Sequence, residues 1–134
     1  MNIDAAIVDT DVVSILFKAG PLSSHYQRHT VGKLLAISFM TLAELERWPL
    51  ERAWSEFRTA ELRQYLQKYV VLHSTYEICK TWAQVITQAR KISRSIDSAD
   101  AWIAASSIYY DVPLITNNPK HFEQIPNISL ISEP

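Results

Sequence analysis

Five acids stand where a carboxylate can do chemistry: Asp9 and Asp11 follow one apolar run, Glu44 follows a second, and Asp97 and Asp100 open an alanine-rich segment. None belongs to a freely solvated charge run. Asp9 comes directly after Ile7-Val8, and Asp100 stands among Ala99, Ala101, Trp102 and Ile103, so both are expected in partly apolar surroundings. A buried charge without compensation is expensive, and buried acids are normally paired or bound to metal. All-oxygen donors suit a hard cation, so without a His or Cys cluster the expected ion is Mg²⁺ or Mn²⁺ rather than zinc. Such an ion lowers the pKa of a bound water and polarises a phosphoryl oxygen, which makes phosphodiester hydrolysis the reaction class that fits.

The elements that must position these acids read as strand followed by helix, repeatedly. Ile3 to Val8 is a short strand candidate ending in the acidic turn Asp9-Thr10-Asp11, after which Val12, Val13, Leu16 and Phe17 recur at helical spacing until Gly20-Pro21. Ala36 to Phe39 is a second apolar run, followed by Thr41 and Glu44 at capping-box spacing. Leu50 to Lys68 and Ser74 to Ile92 suit long amphipathic helices, with Tyr69-Val-Val-Leu between them as a buried strand. Ser98 to Tyr110 suits a helix packed on a sheet, with Ser106 and Ser107 as small packing residues. Val112 to Thr116 is another strand, Asn117-Asn118-Pro119 a turn, and Ile128 to Ile131 a last strand. The alternation predicts a parallel sheet covered on both faces, a three-layer α/β fold forming one domain over residues 1–134. In such folds ligands collect beyond the carboxyl ends of the strands, where Asp9, Glu44 and Asn118 fall.

Other roles stay open for the same residues. Asp9 and Asp11 can serve as N-caps of the helix starting near Val12, and Asp97 as a cap or supporting acid. Glu44 can be the far partner of a capping box begun by Thr41. His25 and His29, spaced i, i+4, lack a third ligand and read as a solvated helix face, whereas His121 is a candidate to touch phosphate near the site. Trp48, Trp54, Trp82 and Trp102 read as core or interface aromatics before base-stacking platforms. The Asp9-x-Asp11 spacing also admits a small-phosphate enzyme with Asp9 as nucleophile.

Composition narrows the classes. With 13 Lys plus Arg against 14 Asp plus Glu in 134 residues, the net charge of −1 does not announce a nucleic-acid binder, so any phosphate contact must come from local clustering. The densest basic group is Arg90, Lys91 and Arg94. A single cysteine, Cys79, excludes an intrachain disulfide and fits a reducing compartment. The acidic, short-apolar start is unlike a signal peptide and no stretch is long enough for a membrane span, so a cytoplasmic location without membrane association is the expectation.

Four segments together resemble the ordered motifs of the PIN domain family, and in detail its VapC-type toxins of toxin–antitoxin pairs. They are Ile7-Val-Asp-Thr-Asp-Val-Val-Ser, Ser38-Phe-Met-Thr-Leu-Ala-Glu-Leu, Asp97-Ser-Ala-Asp-Ala-Trp-Ile-Ala-Ala and Leu114-Ile-Thr-Asn-Asn-Pro-Lys-His-Phe-Glu. The resemblance implies a PIN-like fold with a parallel sheet of about five strands flanked by helices. It also implies Mg²⁺- or Mn²⁺-dependent endoribonuclease activity on RNA, a cognate antitoxin that occludes the site, and a homodimer. It carries metal binding and catalysis to Asp9, Glu44 and Asp100, with Asp97, Asn118, Asp11 and Thr116 as secondary candidates. Two positions depart from the family pattern: Asp11 stands where Asn is usual, and Asn118 where a fourth Asp is often found. That departure keeps a second expectation alive, a PIN-like module with a decayed site that binds RNA or a partner.

Overall fold

The computed structural model describes residues 4–133, so Ile3, the expected start of the first strand, lies outside the described residues. The chain runs β1 (Ala5–Val8), α1 (Thr10–Lys18), α2 (Ser23–Thr30), β2 (Leu34–Ser38), α3 (Phe39–Glu51), α4 (Glu56–Leu66) and β3 (Val70–Leu72). It continues through α5 (Tyr76–Lys91), α6 (Ser98–Tyr110), β4 (Leu114–Ile115), a 3₁₀ turn (Pro119–His121) and β5 (Leu130–Ile131).

The five strands form one sheet in the order β3-β2-β1-β4-β5, and every pairing is parallel. Alternation along each strand divides the interior in two, because successive side chains point to opposite faces. Ala6, Val8, Leu35, Ile37 and Ile115 join Val12, Leu16, Tyr26, Leu45 and Leu62 from α1 to α4. Ile7, Ala36 and Leu114 join Val85 of α5 and Ala101, Ile103 and Ala104 of α6 on the other side. Helices therefore cover both faces, as the near-continuous apolar strands require.

The order places β1 centrally, with β2 on one side and β4 on the other. The chain leaves β1 into α1 through Asp9 alone and leaves β4 into a loop, on either side of the switch point where a crevice opens at the carboxyl ends of parallel strands. Asp9 directly follows β1 and Thr116 directly follows β4.

Three local expectations are corrected. The expected helix over Leu50–Lys68 is two: α3 continues to Glu51, Ala53 takes a positive φ of 52°, and Ser55 then caps α4 by accepting from the Arg58 amide at 3.1 Å. A residue in the left-handed region ends the helical hydrogen-bond run, and a fresh serine cap restarts it. The polar α2 has no counterpart among the expected elements, since only Ser23 and Tyr26 of its eight residues are buried and Tyr26 is the one apolar side chain in Ser-Ser-His-Tyr-Gln-Arg-His-Thr. Third, α3 begins at Phe39, not after Thr41: Ser38 is its cap and accepts from the Met40 amide at 3.1 Å. By contrast α6 spans Ser98–Tyr110 as expected, and Ser107 Oγ donates to the Val112 carbonyl at 2.6 Å, tying the helix end to the approach to β4.

Candidate active site

A cleft of about 150 Å³ lies at the carboxyl edge of the sheet and is lined by Asp9, Asp11, Glu44, Asp97, Asp100 and Asn118, with Thr10, Trp48 and His121 on its walls. All five candidate acids thus reach one opening from segments far apart in sequence.

Asp9 sits at the hinge between β1 and α1 with only 5% of its surface exposed. As N-cap of α1 it accepts from the Val12 amide at 2.9 Å, with the Thr116 hydroxyl and the Asn117 amide beside it as further groups that favour its charged form. These donors favour the carboxylate, yet burial outweighs them and, with Asp11 beside it, pushes the acid up to about 6. The capping reading is therefore correct but incomplete: the cap satisfies one oxygen of a carboxylate that lines the cleft.

Glu44 stands in the second turn of α3, three residues beyond Thr41. Because the helix starts at Phe39 under a Ser38 cap, the capping box of Thr41 and Glu44 does not form, and Glu44 turns toward α1. The Thr10 hydroxyl donates to Glu44 Oε1 at 2.7 Å and lies 3.0 Å from the buried Thr41 hydroxyl. Thr10 thereby ties the glutamate and Thr41 of α3 to the start of α1. It is a site residue that sequence reasoning misses, although its place between two acids is an available signal.

Asp100 occupies the first turn of α6, half-buried, with Asp97 as the cap accepting from the Ala99 amide at 3.2 Å. His121 Nδ1 lies 3.1 Å from Asp100 Oδ2. Burial raises the Asp100 carboxyl above its ordinary value, His121 pulls it back, and the nearby charges of Asp97 and Glu44 raise it again. Asp11 is exposed, and its Oδ2 accepts from Asn118 Nδ2 at 2.6 Å. Thr116 Oγ1 accepts from the Asn118 amide at 3.0 Å while its hydroxyl serves Asp9, so the loop after β4 braces both acids of the α1 turn.

Tyr26 of α2 is fully buried and donates to Asn117 Oδ1 at 2.7 Å, fixing that same loop from behind. No sequence signal marks it. His25 and His29 are not simply solvated either: Glu133 accepts from Arg28 and His29 at 2.5 and 2.6 Å, and His25 stands 3.6 Å away. The described residues contain no group of three or more Asp, Glu, His or Cys positioned to hold a metal ion. The donor set nonetheless fits a hard cation, because Mg²⁺ is held by one or two carboxylates and keeps its other waters, and a buried acid raised to about 6 lacks a positive partner.

Comparison with known proteins agrees with this architecture. A family model described as PIN domain matches residues 6–128. Ribonuclease VapC1 of Haemophilus influenzae is 25% identical over 124 residues, covering 91% of this chain and 92% of the relative. Ribonuclease VapC19 of Mycobacterium tuberculosis is 30% identical over 86 residues, covering 64% of this chain and 69% of the relative. A solved structure of VapBC2 from Rickettsia felis, bound to a DNA fragment from their promoter, superposes with a TM-score of 0.86 at 21% identity, covering 97% of this chain and 99% of that one. The family match runs from the central strand to the approach to β5 and takes in every acid of the cleft, and on that extent the chain belongs to the PIN domain family.

Proposed function

We propose that this protein is a divalent-cation-dependent endoribonuclease, the toxin of a toxin–antitoxin pair, and that Asp9, Glu44 and Asp100 are its metal-binding catalytic acids. The observation that carries the reading is the convergence of these three carboxylates, from the starts of α1, α3 and α6, on one cleft at the sheet's switch point. Relatives named ribonuclease VapC support RNA as the substrate.

Bound Mg²⁺ or Mn²⁺ supplies charge stabilisation at a phosphoryl oxygen and a more acidic water. The chain's own groups do the rest. The Val12 amide, with Thr116 and the Asn117 amide beside it, favours the charged form of Asp9, the form that would hold a cation. Thr10 fixes Glu44, and His121, when protonated, offsets the charge of Asp100. Asp97 and Asp11 add negative potential at the rim, with Asn118 orienting Asp11.

An antitoxin protein is the proposed partner, consistent with relatives solved as VapBC complexes, and a homodimer is the proposed assembly. Apolar side chains are available for protein contacts: Leu50 and Phe57, at the α3–α4 junction, are 83% and 75% exposed. Among the described residues no helix is long and apolar enough to cross a membrane; a cytoplasmic location is part of the proposal.

A second reading, a PIN-like module that binds RNA or a partner without cleaving, is favoured by one observation. Thr10, Asn118 and His121 each already occupy one acid, and no three-ligand group is assembled among the described residues. Purified protein incubated with RNA and Mg²⁺ or Mn²⁺ separates the two. Cleavage that disappears in Asp9→Asn and Asp100→Asn establishes the nuclease; RNA binding without cleavage establishes the module.

A further inference from the structure

The charged side chains of this protein are unevenly committed. Among the described residues, Arg28, Arg47, Arg63 and Lys80 face carboxylates, and Arg52, Arg58 and Lys68 lie over aromatic rings. Those with neither partner are Lys18, Lys33, Arg90, Lys91, Arg94 and Lys120. Lys18 ends α1, at the opposite end from the acids, whereas Arg94 and Lys120 line a second cleft, of about 440 Å³, that shares Asp97, Asp100 and His121 with the acid cleft. Of the densest basic group of the sequence, Arg94 therefore opens onto the candidate active site, joined there by Lys120. Arg90 lies beside it, lining a smaller groove together with Arg94.

The backbone that presents Arg94 is strained for its sequence. At the end of α5 the Ser93 amide donates to the Arg90 carbonyl at 3.1 Å and the Arg94 amide to the Ala89 carbonyl at 2.8 Å, the paired bonds of a Schellman motif. That motif places its turning residue in the left-handed region, where glycine is usual, and here Ser93 takes φ of 56°. The chain thus keeps a hydroxyl side chain in the cleft wall at a position where glycine costs less. Ser95 adds a second hydroxyl to the same cleft, which Lys120 and Gln124 of the segment after β4 also line.

We propose that this cleft is the subsite for the nucleotide flanking the scissile phosphodiester, with Arg94 and Lys120 binding its phosphate and Ser93 and Ser95 donating to phosphate or ribose oxygens. The inference rests on the ribonuclease reading and extends it to single-stranded RNA. The subsite lies directly against the acid cleft, His121 stands at their shared wall, and its volume of about 440 Å³ is enough for one nucleotide. Cations outside the acid cluster also answer an electrostatic need. Five carboxylates would repel a polyanion, and steering must come from charge just beyond them.

The test is fluorescence anisotropy of a labelled short single-stranded RNA, titrated with the full chain in EDTA over a series of KCl concentrations. The double variant Arg94→Ala/Lys120→Ala is expected to bind about tenfold more weakly at low salt, with the slope of log affinity against log salt reduced by about 0.7 for each phosphate no longer neutralised. Arg94→Lys/Lys120→Arg is expected to keep the slope, and Lys18→Ala to change nothing. Both truncated side chains are exposed, so an unchanged melting temperature in the alanine variant shows that weaker binding is not a folding defect. Wild-type protein that cleaves RNA while the alanine variant keeps full affinity and slope overturns the subsite and leaves the ribonuclease standing. Protein that neither binds nor cleaves RNA overturns both.

Discussion

Asn118 Nδ2 donates to Asp11 Oδ2 at 2.6 Å across 107 positions of chain, joining the loop after β4 to the first turn of α1. The two residues are the two departures from the PIN pattern, an acid where an amide is usual and an amide where an acid is often found. In contact, they are one exchange: the pair still contains one carboxylate and one amide.

That exchange makes the pair testable as a unit. Asn118→Asp alone sets a second carboxylate against Asp11 and is expected to lower metal-free stability at neutral pH by about 1 kcal/mol, a modest figure because Asp11 is exposed. The double variant Asp11→Asn/Asn118→Asp is expected to recover most of that loss. Urea unfolding of wild type, Asn118→Asp, Asp11→Asn and the double variant gives the coupling energy directly, and strictly additive effects would mean the two side chains act independently.

Asp9 sets a pH dependence whose sign follows from its raised carboxyl. The unfolded chain releases this proton near 3.8 and the folded chain only near 6, so between those values the unfolded state binds fewer protons and stability falls as pH rises. The contribution is fully present below about 3.8 and lost above about 6, a difference of about 3 kcal/mol. Asp9→Asn, which can still accept from Val12, is expected to be more stable than wild type in EDTA at a pH of about 8 and no more stable below about 3.8, while losing cleavage. Denaturant midpoints at the two pH values check this.

Cation binding should reverse that penalty. Mn²⁺ at about a hundred times its Kd adds about 2.7 kcal/mol to a protein that binds it only when folded, visible as a raised melting temperature. Asp100→Asn is expected to weaken Mn²⁺ binding about tenfold and so remove about 1.4 kcal/mol of that gain at the same concentration. A wild-type melting temperature unmoved by millimolar Mn²⁺ would favour the non-cleaving module.

Thr10 is the positioning residue whose role is easiest to isolate. Thr10→Val keeps the shape but removes the hydroxyl that reaches Glu44 and Thr41, leaving the fully buried Thr41 hydroxyl without its neighbour. We expect about 1 kcal/mol of lost stability and about a tenfold fall in cleavage rate, with Thr10→Ser restoring both. A rate that follows stability but is not rescued by serine would assign Thr10 to packing alone.

The start of α3 has its own check. Ser38→Ala is expected to cost about 1 kcal/mol, the ordinary loss for a serine cap. The diagnostic readout is amide hydrogen exchange at Met40, whose N–H the serine hydroxyl accepts: Ser38→Ala should accelerate it and Thr41→Ala should not. The reverse pattern would move the start of the helix to Thr41.

Much of this protein is legible in one dimension because its signals are local. The short apolar runs at Ala6–Val8 and Leu35–Ile37 and the apolar helix at Ala101–Ala105 announce a sheet buried on both faces, since that arrangement removes their surface from water. Asp9 and Asp100 stand out for the same reason, as acids set in apolar sequence. Only the tertiary structure decided which atoms serve them. Whether Glu44 caps its helix or faces the cleft depends on where α3 begins, and cap competition between Ser38 and Thr41 is settled by how β2 delivers the chain. Tyr26 and Thr10 carry no periodic signal, because their hydrogen bonds run to Asn117 and Glu44 in segments distant in sequence. The Asp11–Asn118 exchange is invisible along the chain and plain in space. Charge behaves the same way: a net value of −1 hides the gathering of acids in one cleft and the placing of Arg94 and Lys120 in the next, because composition sums over the surface while the electric field depends on where each charge stands.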